Sequence, residues 1–202
     1  MKKMVLASQN KHKLKEIEKI TKDFGISLIT MAEAGLGDLD VVEDSDTFEG
    51  NSEKKAREVM EASGLPAIAD DSGLMVDALG GDPGVYSARF SGPGATYESN
   101  NKKLLELMKD VPEDKRTARF VSVITVVFTD GIKIVARGEI EGRIAFEEKG
   151  ESGFGYDPLF YVPEKGKTFA QLSDDEKNAI SHRANALVLL RELLETEEVG
   201  EK

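Results

Sequence analysis

The segment Leu65–Leu74 constrains the fold of this chain more than any other. It reads Leu-Pro-Ala-Ile-Ala-Asp-Asp-Ser-Gly-Leu, a short apolar run that ends abruptly in two carboxylates. Residues 67–69, which follow a proline, predict a buried strand that is too short to be a helix. Open α/β sheets bind ligands beyond the carboxyl ends of their strands, where Asp70 and Asp71 would lie. Because neighbouring strand side chains point to opposite faces, these carboxylates are expected to act differently unless the chain turns between them.

Two interpretations of Asp70-Asp71-Ser72-Gly73 are open. Carboxylate oxygens suit a hard cation such as Mg²⁺, which is often bound by one or two carboxylates together with substrate phosphates. The same residues also suit a turn, in which aspartate bonds its own backbone and glycine supplies a positive φ. The four residues by themselves favour the turn, and the motifs elsewhere in the chain favour the metal site.

The charge of the chain excludes some functions. Its 202 residues carry a formal net charge of −11, from 38 acidic and 27 basic side chains. This acidic balance argues against a general nucleic-acid-binding protein, which needs a basic surface to neutralise phosphates. A small anionic substrate held by a few local cations and a metal remains compatible. Cysteine is absent, which is compatible with an intracellular compartment, and no apolar stretch is long enough to span a membrane.

The N-terminal loop, Ser8-Gln9-Asn10-Lys11-His12-Lys13, joins a strand predicted at residues 4–7 to a helix that ends at Gly25. The apolar face of this helix comprises Leu14, Ile17, Ile20 and Phe24. Backbone N–H groups and the helix dipole favour an anion at its N-terminus. Lys13 would oppose that dipole unless an anion is bound. The alternative is an ordinary capped helix with solvated lysines, since the loop lacks the glycines of a Walker P-loop.

An acidic loop, residues 35–46, precedes a second helix, which Thr47 or a neighbour caps and which ends at Ser63. Asn51 and Lys55 share one stripe of this helix. Such a stripe is typical of a solvated face.

The remaining strands predict a mixed sheet. Residues 119–128 are apolar on both faces, as in a central strand. The Asp130-Gly131 pair indicates a hairpin, after which residues 132–137 return antiparallel. The predicted fold is therefore a mixed α/β sheet flanked by helices. Residues 196–202 are highly charged, and we expect them to fray.

The aromatic loop, Gly153-Phe154-Gly155-Tyr156-Asp157-Pro158, is unusual. Glycines on both sides of Phe154 let a flat ligand approach its ring, and Pro158 favours an extended Asp157. An aromatic face followed by a carboxylate suits stacking on a base and hydrogen bonding to its edge. A glycine-rich turn anchored by a core phenylalanine explains the segment equally well.

The C-terminal segment begins with a capping box, Ser173-Asp174-Asp175-Glu176. One uninterrupted helix would point Lys177, His182 and Arg183 in three directions, so that they could not meet at one ligand. A break near Ile180 would instead place His182 and Arg183 in the first turn of a new helix. There they would act as donors toward an anion or a carbonyl, although cations in a first turn oppose the dipole.

Five motifs together resemble the inosine triphosphatase family, the pyrophosphatases of non-canonical purine nucleoside triphosphates (XTP/dITP diphosphatases). The motifs are Ser8-x-Asn10-x-x-Lys13, Ala69-Asp70-Asp71-Ser72-Gly73-Leu74, Gly80-Gly81 through Tyr86-Ser87-Ala88-Arg89, Phe154-Gly155-Tyr156-Asp157, and Ser181-His182-Arg183 with Lys177 before them. They follow the family's order across nearly the whole chain. The resemblance implies one domain over residues 1–202, with an elongated, twisted, mixed sheet and two lobes around a central cleft.

The resemblance also implies the catalytic groups. Asp71 would be the metal-associated general base, and Glu43 the second carboxylate near Mg²⁺, with Asp44 as the alternative because the acidic loop matches the family less closely. Lys13 and Lys177 would stabilise the charge of the phosphates.

The implied substrate contacts cover the remaining motif residues. They are Ser8, Gln9, Asn10, Lys11, His12, Lys13, Ser72, Phe154, Gly155, Tyr156, Asp157, Lys177, His182 and Arg183. Within this set the N-terminal loop would hold the triphosphate. Phe154 would stack on the purine, while Asp157, His182 and Arg183 would read its edge. Gln9 stands where the family often has a small residue.

The implied reaction is hydrolysis of ITP, dITP and XTP at the α–β bond, giving the monophosphate and pyrophosphate, by a cytoplasmic homodimer that binds neither nucleic acid nor membranes. Such an enzyme would clear these nucleotides before their incorporation into DNA or RNA. A pyrophosphatase of modified pyrimidine nucleotides and a non-catalytic nucleotide sensor remain as alternatives. Phe154 and the His182-Arg183 pair favour a 6-oxo purine over a pyrimidine. The intact Asp70-Asp71 pair favours catalysis over sensing.

Overall fold

The strands of this chain form one mixed sheet. The computed structural model describes residues 2–21 and 25–200, to which the following elements belong. The strands are β1 (Lys2–Leu6), β2 (Ile26–Thr30), β3 (Ala67–Val76), β4 (Thr117–Val127), β5 (Lys133–Ile144), β6 (Phe160–Val162) and β7 (Lys167–Thr168). The α-helices are α1 (Lys11–Thr21), α2 (Phe48–Ser63), α3 (Tyr97–Met108), α4 (Asp174–Asn178) and α5 (His182–Gly200). The strand order is β2-β1-β3-β4-β5-β6-β7.

The directions of the strands confirm the predicted mixed α/β sheet. β1 runs parallel to both β2 and β3, whereas β6 is antiparallel to β5 and to β7. Two backbone bonds show that β4 and β5 form a hairpin. Phe128 N–H donates to the Ile132 carbonyl at one end, and Ile144 N–H donates to the Arg116 carbonyl at the other.

Strand β3 is longer than the sequence predicts. It continues through both carboxylates to Val76, so the turn expected at Asp70-Asp71-Ser72-Gly73 does not form. The apolar side chains of Leu74 and Val76 beyond the motif are fully buried, and they keep this end of the strand in the core. The carboxylates therefore lie inside a strand and not at its end.

The C-terminal segment breaks into two helices, as one of the two alternatives predicts. Ser173 and Glu176 form the predicted capping box, with bonds of 2.8 and 3.2 Å. α4 nevertheless ends at Asn178, and α5 begins at His182. His182 and Arg183 therefore occupy a first helical turn.

The chain divides into two compact units. The first comprises Met1–Asp71, Ser122–Gly138 and Arg183–Lys202, and the second comprises Ser72–Val121 and Glu139–His182.

In the first unit, β1 contributes to two apolar clusters. Met4 and Leu6 pack in a cluster with Ile17 of α1 and Leu187 of α5. Val5 of β1 and Ala7, which follows the strand, pack with Val59 of α2 in the other cluster. Because successive strand side chains face opposite ways, helices cover both faces of this strand.

The second unit has a core rich in aromatic rings. The ring of Phe120 on β4 lies 4.5 Å from that of Phe160 and 5.7 Å from that of Phe169, between centroids. Leu104 and Met108 of α3 belong to the same buried cluster.

Some predictions concern the ends of helices. In the expected apolar face of α1, Ile17 is buried, Leu14 and Ile20 are partly buried, and Phe24 lies outside the described residues. α5 extends to Gly200, so its helical backbone includes most of the segment expected to fray, and residues 201–202 lie outside the described part of the chain.

None of the described helices is long and apolar enough to cross a membrane.

Arg116, just before β4, is a buried structural arginine. Its guanidinium donates to four backbone carbonyls, those of Met108 (2.6 Å), Val111 (3.2 Å), Ile144 (2.8 Å) and Ala145 (2.9 Å). Met108 is the last residue of α3, where helix carbonyls lack partners within the helix. One side chain thus ties this helix end to the end of β5.

We predict that Arg116→Met lowers the free energy of unfolding by about 3 kcal/mol, because the methionine keeps the buried stem but leaves the carbonyls without their donor. Urea unfolding measures the change. Arg119→Met is the control, since the more exposed Arg119 pairs with Asp77 and Glu141 near the surface and should cost about 0–1 kcal/mol. Similar losses in the two variants would contradict the structural role of Arg116.

Candidate active site

Asp71 lies in a cluster with Lys55 and Glu43 in the first unit. The Lys55 ammonium donates to Asp71 Oδ1 (3.1 Å), Glu43 Oε1 (2.5 Å) and the Asp70 carbonyl (2.9 Å). The Lys55 side chain is only 12% exposed, so the solvated face predicted for this stripe of α2 is wrong. Burial by itself would lower the pKa of Lys55, but the charges of Asp71 and Glu43 outweigh burial and raise it. Lys55 is thus a cation held between two carboxylates.

The acidic loop is held in place by Asn51, the other residue of that stripe. Asn51 is buried, accepts a bond from Ser45 N–H (2.9 Å) and donates to the Ser45 carbonyl (3.2 Å). This anchor lies two residues after Glu43, which reaches Lys55. Asp44 is exposed and pairs with Lys54 instead, so the geometry favours Glu43 over Asp44 as the second carboxylate beside Asp71.

Asp70 has different surroundings, as the alternation along a strand predicts. It is 1% exposed. Asp70 Oδ2 lies 2.9 Å from Lys13 Nζ and 3.2 Å from Arg183 Nη2, and Oδ1 accepts a 2.5 Å bond from the Ser122 hydroxyl. Arg183 also donates through Nη1 to Glu16. The cations that surround Asp70 come from α1 and α5, whereas Lys55 of α2 reaches Asp71.

These surroundings shift the pKa values of the two carboxyl groups in opposite directions. Burial by itself would raise the pKa of Asp70, but the charges of Arg183 and Lys13 outweigh burial and hold it well below its usual value. Burial raises the pKa of Asp71, Lys55 and Lys13 offset only part of that rise, and Glu43 adds to it. Asp70 is therefore a fixed negative charge, and Asp71 is the more basic carboxylate.

The N-terminal loop is a helix cap. The Asn10 carboxamide oxygen accepts bonds from the backbone N–H groups of His12 (3.0 Å) and Lys13 (3.2 Å). Ser8 Oγ accepts the N–H of Asn10, and the side chain of Gln9 donates to the Leu39 carbonyl in the acidic loop. Two of the N–H groups that could receive an anion are thus already bonded within the loop. Lys11 and His12 are exposed.

In the second unit, the aromatic loop (residues 153–158) is built around Asp157. Asp157 Oδ2 accepts the backbone N–H of Phe154 (2.9 Å) and pairs with Lys177 Nζ at 2.7 Å, and both of these charged side chains are buried. The same ammonium lies 4.8 Å from the centre of the Phe154 ring, a cation–π distance. Lys177 therefore belongs with the aromatic loop, whereas Lys13 belongs to the first unit.

The structure gives a further reason for glycine at position 153, besides the predicted access for a ligand. A Cβ atom at Gly153 would lie 2.1 Å from Asp157 Oδ2, so any larger residue would displace the carboxylate from the Phe154 N–H. The glycine thus lets a carboxylate of the same loop approach closely, in addition to any access it gives to a ligand.

His182 and Tyr156 are buried in the second unit. The His182 ring stacks on Phe120, with centroids 4.8 Å apart and planes 14° apart. The Tyr156 hydroxyl donates to the Ser87 carbonyl (2.8 Å). Ser72 is partly buried, and it follows Asp71 directly on β3.

Sequence reasoning missed several side chains of these clusters. Lys55 is the clearest case, because its helix stripe gives no sign of the carboxylates that surround it. Ser122 and Glu16, on β4 and α1, bind Asp70 and Arg183 across gaps of 52 and 167 residues in the sequence. Tyr97 lies beside Phe154, with ring centroids 6.1 Å apart. No short motif connects residues that are so far apart in the chain.

The donor set near Asp71 fits Mg²⁺. Asp71 Oδ2 is buried, and no described residue donates a hydrogen bond to it. Among the described residues, no group of three or more His, Cys, Asp or Glu side chains could hold a metal. Two carboxylates, Asp71 and Glu43, would therefore need phosphate oxygens or water to complete the coordination, which is the usual situation for this ion.

We predict that the same substitution has opposite consequences at the two adjacent aspartates. Asp70→Asn should lower the free energy of unfolding at pH 7 by about 3 kcal/mol, because Arg183 and Lys13 lose a buried partner. Asp71→Asn should leave stability unchanged or raise it, because a carboxyl group whose pKa is raised by folding is destabilising when ionised.

Urea unfolding at several pH values tests both predictions. Since folding lowers the pKa of Asp70, its contribution exists above the unfolded value of 3.8 and is lost as the pH falls through the folded value. The difference in the free energy of unfolding between the wild type and Asp70→Asn should therefore narrow only as the pH falls below 3.8. A gap that is the same at acid and neutral pH would argue against a charge-based role for Asp70.

Comparisons with known proteins show the family of this chain. The model of the Ham1 family matches residues 4–193. The dITP/XTP pyrophosphatase of Clostridium perfringens (strain 13 / Type A) is 52% identical over 200 residues, covering 96% of this chain and 98% of that protein. The structure of the Staphylococcus aureus Ham1 protein matches with a TM-score of 0.87 and 43% identity, covering 97% of this chain and 100% of that one. For a HAM1 protein from Coxiella burnetii, the TM-score is 0.88 and the identity 41%, with the same coverage. The resemblance indicated by the motifs is confirmed, and this chain belongs to the Ham1 family.

Proposed function

We propose that this chain is a nucleoside triphosphate pyrophosphatase that hydrolyses non-canonical purine nucleotides such as ITP, dITP and XTP to the monophosphate and pyrophosphate. The observation that carries the proposal is the buried carboxylate of Asp71, which has a raised pKa and is held through one oxygen by Lys55 beside Glu43. Its other oxygen accepts no hydrogen bond from a described residue. Relatives named dITP/XTP pyrophosphatase support the same reaction.

The first unit would supply the phosphate and metal contacts. Asp71 and Glu43 would hold Mg²⁺, which when bound neutralises charge that develops on the phosphates. Lys13 lies in the first turn of α1, whose N-terminus favours an anion. Its pairing with Asp70 fixes its direction, so we propose that Asp70 orients Lys13 toward the triphosphate. Ser8 and Asn10 would complete this side of the substrate.

Asp71 would act as the general base. Lys55 fixes the carboxylate through Oδ1, and the carboxylate would take the proton from the attacking water. The water oxygen forms a new bond to phosphorus, the α–β anhydride bond breaks, and pyrophosphate leaves. Lys55 stays protonated in this scheme, because the two carboxylates raise its pKa.

The second unit would supply the contacts to the purine. Phe154 offers a partly buried ring for stacking, and the Asp157–Lys177 pair places a carboxylate and an ammonium next to it. We therefore propose a base-side role for Lys177 in place of the phosphate role expected from the sequence. His182 would donate to the O6 acceptor that ITP and XTP have and that adenine lacks.

Other features follow from the resemblance to the family. We propose that the enzyme works as a cytoplasmic homodimer on free nucleotides.

The decisive experiment measures pyrophosphate release from ITP and ATP by the purified protein, with Mg²⁺ and with a chelator. We expect metal-dependent release from ITP far above that from ATP. No release from any purine triphosphate by the folded protein would overturn the proposal. Release from modified pyrimidine triphosphates, or tight ITP binding without turnover, would then identify which alternative holds.

We predict that His182 and Arg183 contribute differently. His182→Ala should lower the ITP-to-ATP ratio of kcat/KM by about tenfold. In the wild type, bound adenine leaves the buried His182 donor without an acceptor, and the variant removes this penalty against ATP. Arg183→Ala should lower kcat/KM for both substrates by a similar factor and leave the ratio unchanged, because its guanidinium binds Asp70 and Glu16. A narrowed ratio in the Arg183 variant alone would show that Arg183, and not His182, reads the purine edge.

A further inference from the structure

The motif that includes Gly84–Arg89 resembles the family, but the proposed reaction uses none of its residues. This segment forms a 3-10 helix in the second unit. Ser87 is its buried residue, with 8% exposure, and it carries two sets of hydrogen bonds. One set involves the hydroxyl group, and the other involves the backbone carbonyl.

The Ser87 hydroxyl connects the segment to the strand that carries Asp71. It accepts the backbone N–H of Leu74 at 2.9 Å and donates to the Gly84 carbonyl at 2.6 Å. Leu74 lies three positions after Asp71 on β3. A small hydroxyl that both donates and accepts is required here, because the N–H of Leu74 is buried and needs an acceptor.

The Ser87 carbonyl connects the same segment to the aromatic loop. It accepts the Tyr156 hydroxyl at 2.8 Å and the side-chain amide of Asn100 at 3.3 Å. Tyr156 lies between Phe154 and Asp157, the loop residues proposed to hold the purine. Burial raises the pKa of Tyr156, so its hydroxyl remains a protonated donor throughout the physiological range.

The aromatic loop has two other anchors that do not involve Ser87. Asn101 of α3 donates to the Gly155 carbonyl at 3.2 Å, and Asp157 accepts the Phe154 N–H. These bonds and the apolar packing of the Tyr156 ring remain when its hydroxyl is removed. A variant without that hydroxyl is thus expected to fold, with the loop less firmly placed.

We propose that Ser87 and Tyr156 are positioning residues that fasten the aromatic loop and the Asp71-bearing strand to one short helix. Tyr156 then acts on purine affinity through the placement of its neighbours and not through a substrate contact of its hydroxyl. This inference rests on the proposed function, because it concerns the affinity for the purine. It also gives the Gly84–Arg89 motif a role.

Kinetics with ITP test the proposal. Tyr156→Phe should raise KM about tenfold and leave kcat within about twofold, since the base contacts weaken while the catalytic carboxylate stays in place. Ser87→Ala should also raise KM, because it loosens the helix that holds Tyr156 from β3. The hydroxyl that it removes makes no bond to the aromatic loop itself. Tyr161→Phe is the matched control for loss of a phenol elsewhere in this unit, and its KM should equal that of the wild type.

The double variant separates positioning from direct contact. If both residues act through one link, Ser87→Ala combined with Tyr156→Phe should raise KM no more than the larger single effect. Multiplied effects, or an unchanged KM in either single variant, would overturn the inference. The inference would also be overturned if the variants lost thermal stability and their KM and kcat changed together.

Turnover of ITP by the wild type, measured in the same series, keeps the two claims apart. Its absence would overturn the proposed function. Wild-type turnover with an unaltered KM in Tyr156→Phe would overturn the positioning role alone.

Discussion

Two adjacent carboxylates inside a buried strand are costly unless cations compensate for their lost hydration. In this protein three cations do so. Lys13 and Arg183 surround Asp70, and Lys55 binds Asp71. These residues come from α1, α5 and α2, so the need to neutralise one pair of aspartates fixes three helices against β3. The packing of the first unit and the chemistry of its candidate site therefore depend on the same ion pairs.

The same arrangement makes the two carboxylates chemically unequal. Asp70 has two cations and a hydroxyl group on its oxygens, and its low pKa makes it a permanent anion. Asp71 shares the Lys55 ammonium with Glu43, and the effect of burial on its pKa outweighs the attraction of Lys55 and Lys13. A strand that presents alternate residues to opposite faces thus separates a structural anion from the proposed general base at consecutive positions. A turn at this point, which the local sequence favours, would lose that separation.

Charged pairs also organise the second unit, where they hold the aromatic loop that we propose for purine binding. Asp157 connects the Phe154 backbone to Lys177, and Lys177 in turn lies over the Phe154 ring. Both lysines that the sequence predicts for the phosphates, Lys13 and Lys177, are bound to aspartates in the structure. An aspartate that orients a lysine reduces the rotamer entropy lost when an anion or a base is bound.

The sequence by itself determined the elements whose signals are local: the mixed sheet, the capped helix that begins after Thr47, and the motifs that identify the family. It also limited the C-terminal segment to two possibilities, and the helical break that brings His182 and Arg183 into a first turn was one of them. Only the tertiary structure decided that β3 continues through Asp70 and Asp71, because the charges that permit this come from residues far away in the chain. For the same reason it alone placed Lys55 and Glu43 beside Asp71, bound Arg183 to Asp70 and Glu16, and joined Tyr156 to Ser87. Local periodicity and capping depend on neighbours within a few residues, whereas the neutralisation of a buried charge depends on whichever distant side chain the fold brings within hydrogen-bonding distance.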